Sequence, residues 1–495
     1  MKDKEYKDLC DACDHILLED DSDSRMAISW LHILKWDPTW LENYNVLFVK
    51  MNMNERTRIF LTLLRYSFIS LIRIIKGIWV KKLYINKDLT GSESDFLLIS
   101  HLVNKEFINK KNDFYYGEIP NNLHDLGLSS TIAMINHISI KPYLIPEEWQ
   151  TGPIKRIVLS KSLSLINEVK IYYSQIIEAL KLIRNKNVNE LHKKVYREAA
   201  IQALSNSTAN NLRLKMQISD LLRLVKPRFI MVTYEGHAWE RLIFLEARKI
   251  DPKIKCIGYQ HALIKMQHAI FTNLGENYDP DVIATSGVID LKNLEKIKNL
   301  EKITKVNIGS SKKFIKPSLN GSNTKLQKKT CLVLADGDIK ECCRILFFAV
   351  DLSRLNPNVH FIFRLHPVTD KNSLIKKNPL LGQLQSNINW SHSSLEDDLE
   401  SSDLALYRAT NAIYLAPSYN TLPVFFGNKK SMNIDPLFDI ADIRPNLFET
   451  NQFIDILKVT NSDKQNILIK KILKYCNNKY SNLNIKPLIH ILLNS

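Results

Sequence analysis

Residues 228–262 read RFIMVTYEGHAWERLIFLEARKIDPKIKCIGYQHA. The apolar run from Phe229 to Thr233 stops at Tyr234, Glu235, Gly236 and His237, after which Ala238, Trp239 and Glu240 open a helical stretch. A second β-rich run then ends at Tyr259, Gln260, His261 and Ala262. Two buried-type strands separated by a helix imply a parallel pair joined by a crossover, because antiparallel neighbours need only a tight turn between them.

The alternation continues on both sides. DFLLISHL (95–102), RIVLSKSL (156–163) and DVIATSG (281–287) read as further buried strands ending in small or polar residues, with helical periodicity over Leu165–Ile183 and Leu191–Leu224. After VNIGSSKKF (306–314), the Ser, Asn, Gly, Pro and Lys of IKPSLNGSNTKLQKK (315–329) mark a linker. A second series follows: strand KTCLVLADGD (329–338), helix IKECCRILFFAVDLSRLN (339–356), then strands VHFIFRLHP (359–367), DLALYRATN (403–411) and TLPVFFG (421–427). The expected class is α/β with two Rossmann-like domains. Residues 1–90 are expected as a helical extension, 91–312 as the first domain, 313–328 as the linker, 329–445 as the second domain and 446–495 as a helical tail.

With 495 residues, 45% hydrophobic and 24% charged, the chain is too long for one core and too apolar for a disordered segment. Its net charge of +16 would favour acidic partners, but Lys, Ile and Asn recur throughout, as in INKDL and IRNKNVNE. The charge therefore reads as background composition, and no nucleic-acid partner is expected. Seven cysteines are too few and odd in number for a disulfide framework, which points to a reducing compartment. Cys10 and Cys13 stand as a CxxC near His15, yet no second pair follows at zinc spacing, so no metal and no cofactor is expected. The polar start MKDKEYKDLC lacks the order of a signal peptide, so a cytoplasmic location is expected.

IFLTLLRYSFISLIRIIKGIWV (59–80) is long enough to span a bilayer but contains Arg65, Arg73 and Lys76, which makes spanning costly. At helical spacing Arg58, Arg65, Arg73 and Lys76 share one stripe, and Leu, Ile, Phe and Trp79 fill the rest. Two readings stay open: a helix packed on the domain with its charged face solvated, or a helix in the plane of an anionic leaflet on the inner side of the cytoplasmic membrane.

In open α/β sheets, ligands bind at the carboxyl ends of the strands. The second domain offers three such ends. Asp336, Gly337 and Asp338 precede a helix whose first N–H groups suit an anion. Arg364, His366 and Pro367 place a cation and an imidazole past a strand, and Arg408, Thr410 and Asn411 stand where another helix begins. In the first domain, Glu235 and His261 close adjacent strands and suit a general base with a proton or phosphate partner, while Glu240 stands one turn further on.

The order TYEGHAWE, GYQHA, PDVIATSG, VNIGSS, FRLHP and YRATNAIYLA…LPVFFG resembles bacterial surface-carbohydrate glycosyltransferases of GT-B fold, above all those using CMP-activated Kdo or nonulosonic acids for capsule and lipopolysaccharide. It covers about residues 95–427. The resemblance implies two Rossmann-like domains facing a cleft, transfer without a bound metal, a nucleotide-sugar donor and a glycan or lipid-linked glycan acceptor. His366 with Pro367 and Thr410 would hold the nucleotide phosphate, and Glu235 would act as base. Thr410-Asn411 replaces a more usual Ser/Thr pair, and the glycine often found before the last strand is missing. A CDP-glycerol-type polyol-phosphate transferase shares the two-domain plan and the His-Pro pair. A non-catalytic basic scaffold that binds membrane or nucleic acid is the remaining alternative.

Overall fold

The computed structural model describes residues 3–20, 22–33, 41–48, 55–79, 93–184, 189–261, 268–311, 329–367, 369–427, 433–460 and 462–494. Ala262, the expected linker, and Lys81 and Lys82, the two lysines that follow the apolar stretch 59–80 and would add to its basic character, lie outside the described residues. The chain divides into two compact units, one formed by residues 1–35, 44–312 and 481–495 and the other by 36–43 and 313–480.

The first unit holds seven parallel strands: β1 (Phe96–Leu102), β2 (Ser130–Asn136), β3 (Ile154–Val158), β4 (Phe229–Thr233), β5 (Lys255–Gln260), β6 (Val282–Thr285) and β7 (Thr304–Asn307). They lie in the order β3-β2-β1-β4-β5-β6-β7. The second unit holds six: β8 (Thr330–Leu334), β9 (His360–Arg364), β10 (Ile388–Trp390), β11 (Leu404–Tyr407), β12 (Leu422–Phe426) and β13 (Asn446–Leu447), in the order β10-β9-β8-β11-β12-β13. Each sheet winds one way for three strands, crosses back over its first strand and winds the other way. Two Rossmann-like domains therefore follow one another, as expected. The reversal leaves a crevice at the carboxyl ends of β1 and β4 in one unit and of β8 and β11 in the other.

Helices cover both faces of such sheets, so the strands are continuous apolar runs: all five residues of β4, β8 and β12 are buried. Pro423 is tolerated within β12 because the two-residue β13 pairs only with Phe425 and Phe426, which leaves Pro423 beyond its reach. β1 and β4 pair only from Phe96 with Phe229 to Ile99 with Val232. The Tyr116 hydroxyl sits 2.9 and 3.0 Å from the carbonyls of Ile99 and Met231 there, while β1 runs on to Leu102.

Several expectations are corrected. The stretch 191–224 is two helices, Glu190–Ala203 and Asn206–Val225, because the Ser205 side chain caps the second by accepting from the N–H of Thr208. The residues in front are not a separate extension: helix Asp3–Glu19 buries Leu9, Cys13 and Ile16 in the first unit, and Arg25 pairs with Glu178 at 2.8 Å. Nor is 446–495 a tail. β13 closes the second sheet, residues up to 480 stay with it, and helix Lys486–Asn494 returns to bury Leu488 and Leu492 in the core of the first.

The amphipathic helix spans Glu55–Gly77 and packs against helix Leu165–Arg184, where Tyr66 stacks on Tyr172 and donates to Gln175 at 2.8 Å. The expected solvated basic face is only half present, with Arg65 and Lys76 exposed. Arg58 turns inward to Glu198 at 2.7 Å and Arg73 is half-buried, whereas Leu61, Leu64, Phe68, Leu71, Ile75 and, just beyond, Trp79 are each at least 50% exposed. Among the described residues no helix is long and apolar enough to cross a membrane.

Candidate functional site

In the first unit the turn after β4 is set by Gly236, whose φ of +82° and close approach to Ala269 exclude a side chain: a Cβ would lie 2.6 Å from that of Ala269. Glu240, on helix Ala238–Ile250, then fixes the turn from below. Its fully buried carboxylate accepts from the N–H groups of Glu235 at 3.0 Å, Gly236 at 2.7 Å and His237 at 2.9 Å. Burial pushes the Glu240 carboxyl up to about 7, although His237 and these N–H groups favour the ionised form. Glu240 is thus the floor of the loop rather than a group presented to substrate.

The Glu235 side chain lies above that floor between two imidazoles, 3.5 Å from His237 Nε2 and 3.6 Å from His261 Nε2. The predicted neighbours Glu235 and His261 are therefore brought together, at the ends of β4 and β5. Tyr115 stands edge-on to His261, with ring centroids 5.4 Å apart, and its hydroxyl pKa is raised by burial and by the nearby charges of Glu235 and Asp113.

The array continues across the crevice to residues that sequence reading did not single out. His101, near the end of β1, lies edge-on to Trp239 at 5.2 Å, and its Nδ1 is 3.0 Å from His137 Nε2, just past β2. Burial, reinforced by the surrounding histidines, pushes His101 down to about 3, so its ring is neutral at physiological pH. His101 closes the strand DFLLISHL and was accessible to the same strand-end rule. His137 was hidden because β2 itself was not recognised.

A cavity of about 550 Å³ opens at the ends of β1, β2 and β3, lined by His101, His137 and Lys161 from the sheet side, Trp239 from helix Ala238–Ile250, and Arg73 and Lys76 from helix Glu55–Gly77. Arg213 also lines it, held by Glu168 through two 2.7 Å hydrogen bonds.

In the second unit the three expected strand ends fare differently. At the end of β8, past Asp336 and Gly337, Asp338 caps helix Ile339–Leu355 itself, taking the N–H groups of Lys340 at 2.9 Å and Glu341 at 3.0 Å. The donors expected to meet a phosphate are already held by a carboxylate. Arg408, expected at the donor, is instead 1% exposed, paired with Glu341 and donating to the Phe426 carbonyl at 3.1 Å. It ties β11 to the helix that follows β8. Arg364 is bound to Asp398 at 2.7 Å and to the Ser393 carbonyl at 2.9 Å. His366 is half-buried past β9 and is followed by an exposed Pro367. Thr410 caps the 3-10 helix Asn411–Tyr419, accepting from the N–H of Ala412 at 3.3 Å, and Asn411 is exposed at its first position. His366, Thr410 and Asn411 stand just past the ends of β9 and β11.

Cys10 and Cys13 are buried in helix Asp3–Glu19, where Asp14 meets His268 at 3.0 Å. Among the described residues no three His, Cys, Asp or Glu side chains are placed to hold a metal ion.

No protein-family model and no curated protein matches the chain. Solved structures similar to it include the N-terminal domain of Candida albicans trehalose-6-phosphate phosphatase, at 9% identity over 83% of this chain and 99% of that one, with a TM-score of 0.49. The S. aureus MnaA–UDP co-structure is similar at 13% identity over 81% and 97% of the two chains, with a TM-score of 0.45. The spinosyn rhamnosyltransferase SpnG is similar at 12% identity over 81% and 100%, also with a TM-score of 0.45. The two strand orders by themselves define the fold.

Proposed function

We propose that the chain is a glycosyltransferase of the GT-B type, in which Glu235 removes the proton from an acceptor hydroxyl and a nucleotide-activated sugar is the donor. The observation that carries this reading is the placing of Glu235 between His237 and His261 at the topological reversal of a Rossmann-like sheet, in a chain that contains a second such sheet. A carboxylate with imidazoles on both sides can accept a proton and pass it on, which is what activation of a sugar hydroxyl requires.

The donor phosphate is assigned to His366, Thr410 and Asn411, and no metal step is invoked. An imidazole, a hydroxyl and an amide can each donate to phosphate oxygens as charge develops on the leaving group. The motif order favours a CMP-activated Kdo or nonulosonic acid as donor and a surface-polysaccharide precursor as acceptor. We place the enzyme on the cytoplasmic face of a membrane. The apolar face of helix Glu55–Gly77 supports this, because the cations Arg65 and Lys76 flank it.

Thermal unfolding with CMP, CDP, UMP, UDP, GDP and TDP tests the donor assignment. A ligand at one hundred times its dissociation constant stabilises the folded state by about 2.7 kcal/mol, which raises the midpoint by several degrees. CMP is expected to give the largest rise, EDTA to leave it intact and His366→Ala to remove it. A larger response to UDP or GDP replaces the donor, a preference for CDP favours polyol-phosphate transfer, and silence to all six nucleotides ends the enzyme reading.

A further inference from the structure

We propose that the cavity at the ends of β1, β2 and β3 binds a phosphate group carried by the acceptor, with Arg73, Lys76 and Lys161 as its cationic walls. The inference rests on the reading of the first unit as the acceptor side and adds the chemical class of that acceptor.

The cavity, at about 550 Å³, is the size of a ligand site, and among the described residues no Asp or Glu side chain lines it. Glu168 neutralises Arg213, but Arg73 beside it makes no ion pair among the described residues, although it is half-buried. Burial, and after it the like charge of Arg213, lower the Arg73 pKa to about 10 against the opposing charge of Glu168, so it keeps its charge at neutral pH. A half-desolvated guanidinium that has no ion pair of its own among the described residues and shares the charge of Glu168 with Arg213 is under-compensated, and a bound anion supplies the rest. Donors converge from several directions: Arg73 and Lys76 from a helix, Lys161 from beyond β3, and Asn206 and Asn210 from a second helix. That arrangement suits the several oxygens of a tetrahedral phosphate better than a flat carboxylate.

Position ties the cavity to the chemistry. Trp239, in its wall, stacks near His237 at 6.2 Å, and His237 stands 3.5 Å from Glu235. A phosphate held by Arg73 and Lys161 thus leaves a hydroxyl on the same molecule within reach of the base. A smaller cavity of about 270 Å³ shares Arg73 and Asn206 and runs along helix Glu55–Gly77 to Arg65. The phosphate can therefore belong to a lipid headgroup or to a water-soluble phosphorylated glycan.

Calorimetric titration of the full chain, without nucleotide, with glycerol 3-phosphate and with dihexanoylphosphatidic acid tests the site. Both are expected to bind, and Arg73→Gln and Lys161→Gln are each expected to weaken both by about tenfold or more, as loss of a charge-assisted contact does. Arg73→Lys, which keeps the charge, should retain most of the affinity, and Lys170→Gln, an exposed cation on helix Leu165–Arg184, should retain all of it. Tighter binding of the phosphatidic acid identifies a lipid source; equal affinities identify a soluble one. Failure of both probes to bind, or equal losses in Lys170→Gln and Arg73→Gln, overturns the proposal. Because no nucleotide is present and no turnover is read, a chain that binds nucleotide but neither probe loses this site and keeps the transferase reading. The opposite pattern does the reverse.

Discussion

Glu235 and Glu240 lie five positions apart and put the same chemical group to different uses. One faces two imidazoles and retains some exposure; the other is sealed beneath the loop and holds three N–H groups. Glu235→Gln should therefore lower transfer by about 10²–10⁴-fold while nucleotide affinity and thermal midpoint stay at wild-type values, since only proton removal is lost. Arg408 gives the opposite prediction. Arg408→Met leaves the buried Glu341 carboxylate with only the half-exposed Arg344 and should cost about 3 kcal/mol in the unfolding free energy of the second unit, measured by denaturant titration. Weaker nucleotide binding with unchanged stability would return Arg408 to the donor site. Glu235 and His261 were legible because strand ends are visible in a single sequence. The inward turn of Arg408 was not, because its partner Glu341 is 67 residues away and nothing local marks the pairing.

At the scale of elements, helix Glu55–Gly77 was visible from its period but not from its orientation. Its charges looked like a solvated stripe until Glu198 and the cavity claimed Arg58 and Arg73 from outside the helix. What faces out is apolar apart from Arg65 and Lys76, and the only acids on the packed helix Leu165–Arg184, Glu168 and Glu178, are buried in ion pairs with Arg213 and Arg25. A surface so poor in exposed carboxylate and rich in Leu, Ile and Phe suits an anionic leaflet, with Trp79 and Tyr173 as interfacial anchors. Replacing Leu64, Phe68 and Ile75 with Glu should abolish co-sedimentation with phosphatidylglycerol vesicles without changing nucleotide affinity. Equal pelleting of wild type and triple variant would return the helix to a packing role. Short strands were the other gap: β10 has three residues and β13 two, too few for a period to be read.

Across the whole molecule, both sheets show the same reversal after three strands, and the alternation of strands and helices made that class legible before any coordinates. The path of the chain was not. Residues 481–495 return to the first unit, where Ser310 donates to the Ser481 carbonyl and Asn484 to that of Ile308, at 2.9 and 2.8 Å. Ile485, Leu488 and Leu492 then complete its core. Burying each contributes about 1.5–3 kcal/mol, so a chain ending at residue 480 should lose about 5 kcal/mol or more from the first unit, seen as a lower unfolding midpoint for that unit. Gly309 makes the contact especially demanding, because a Cβ there would meet the Asn482 carbonyl. This return also sets a timetable during synthesis. The first unit is translated almost entirely before the second, yet it cannot close its core until the last helix has left the ribosome. The nascent chain must then carry an unfinished hydrophobic surface through the making of a whole second domain, and early termination would leave a product that chaperones hold and proteases remove.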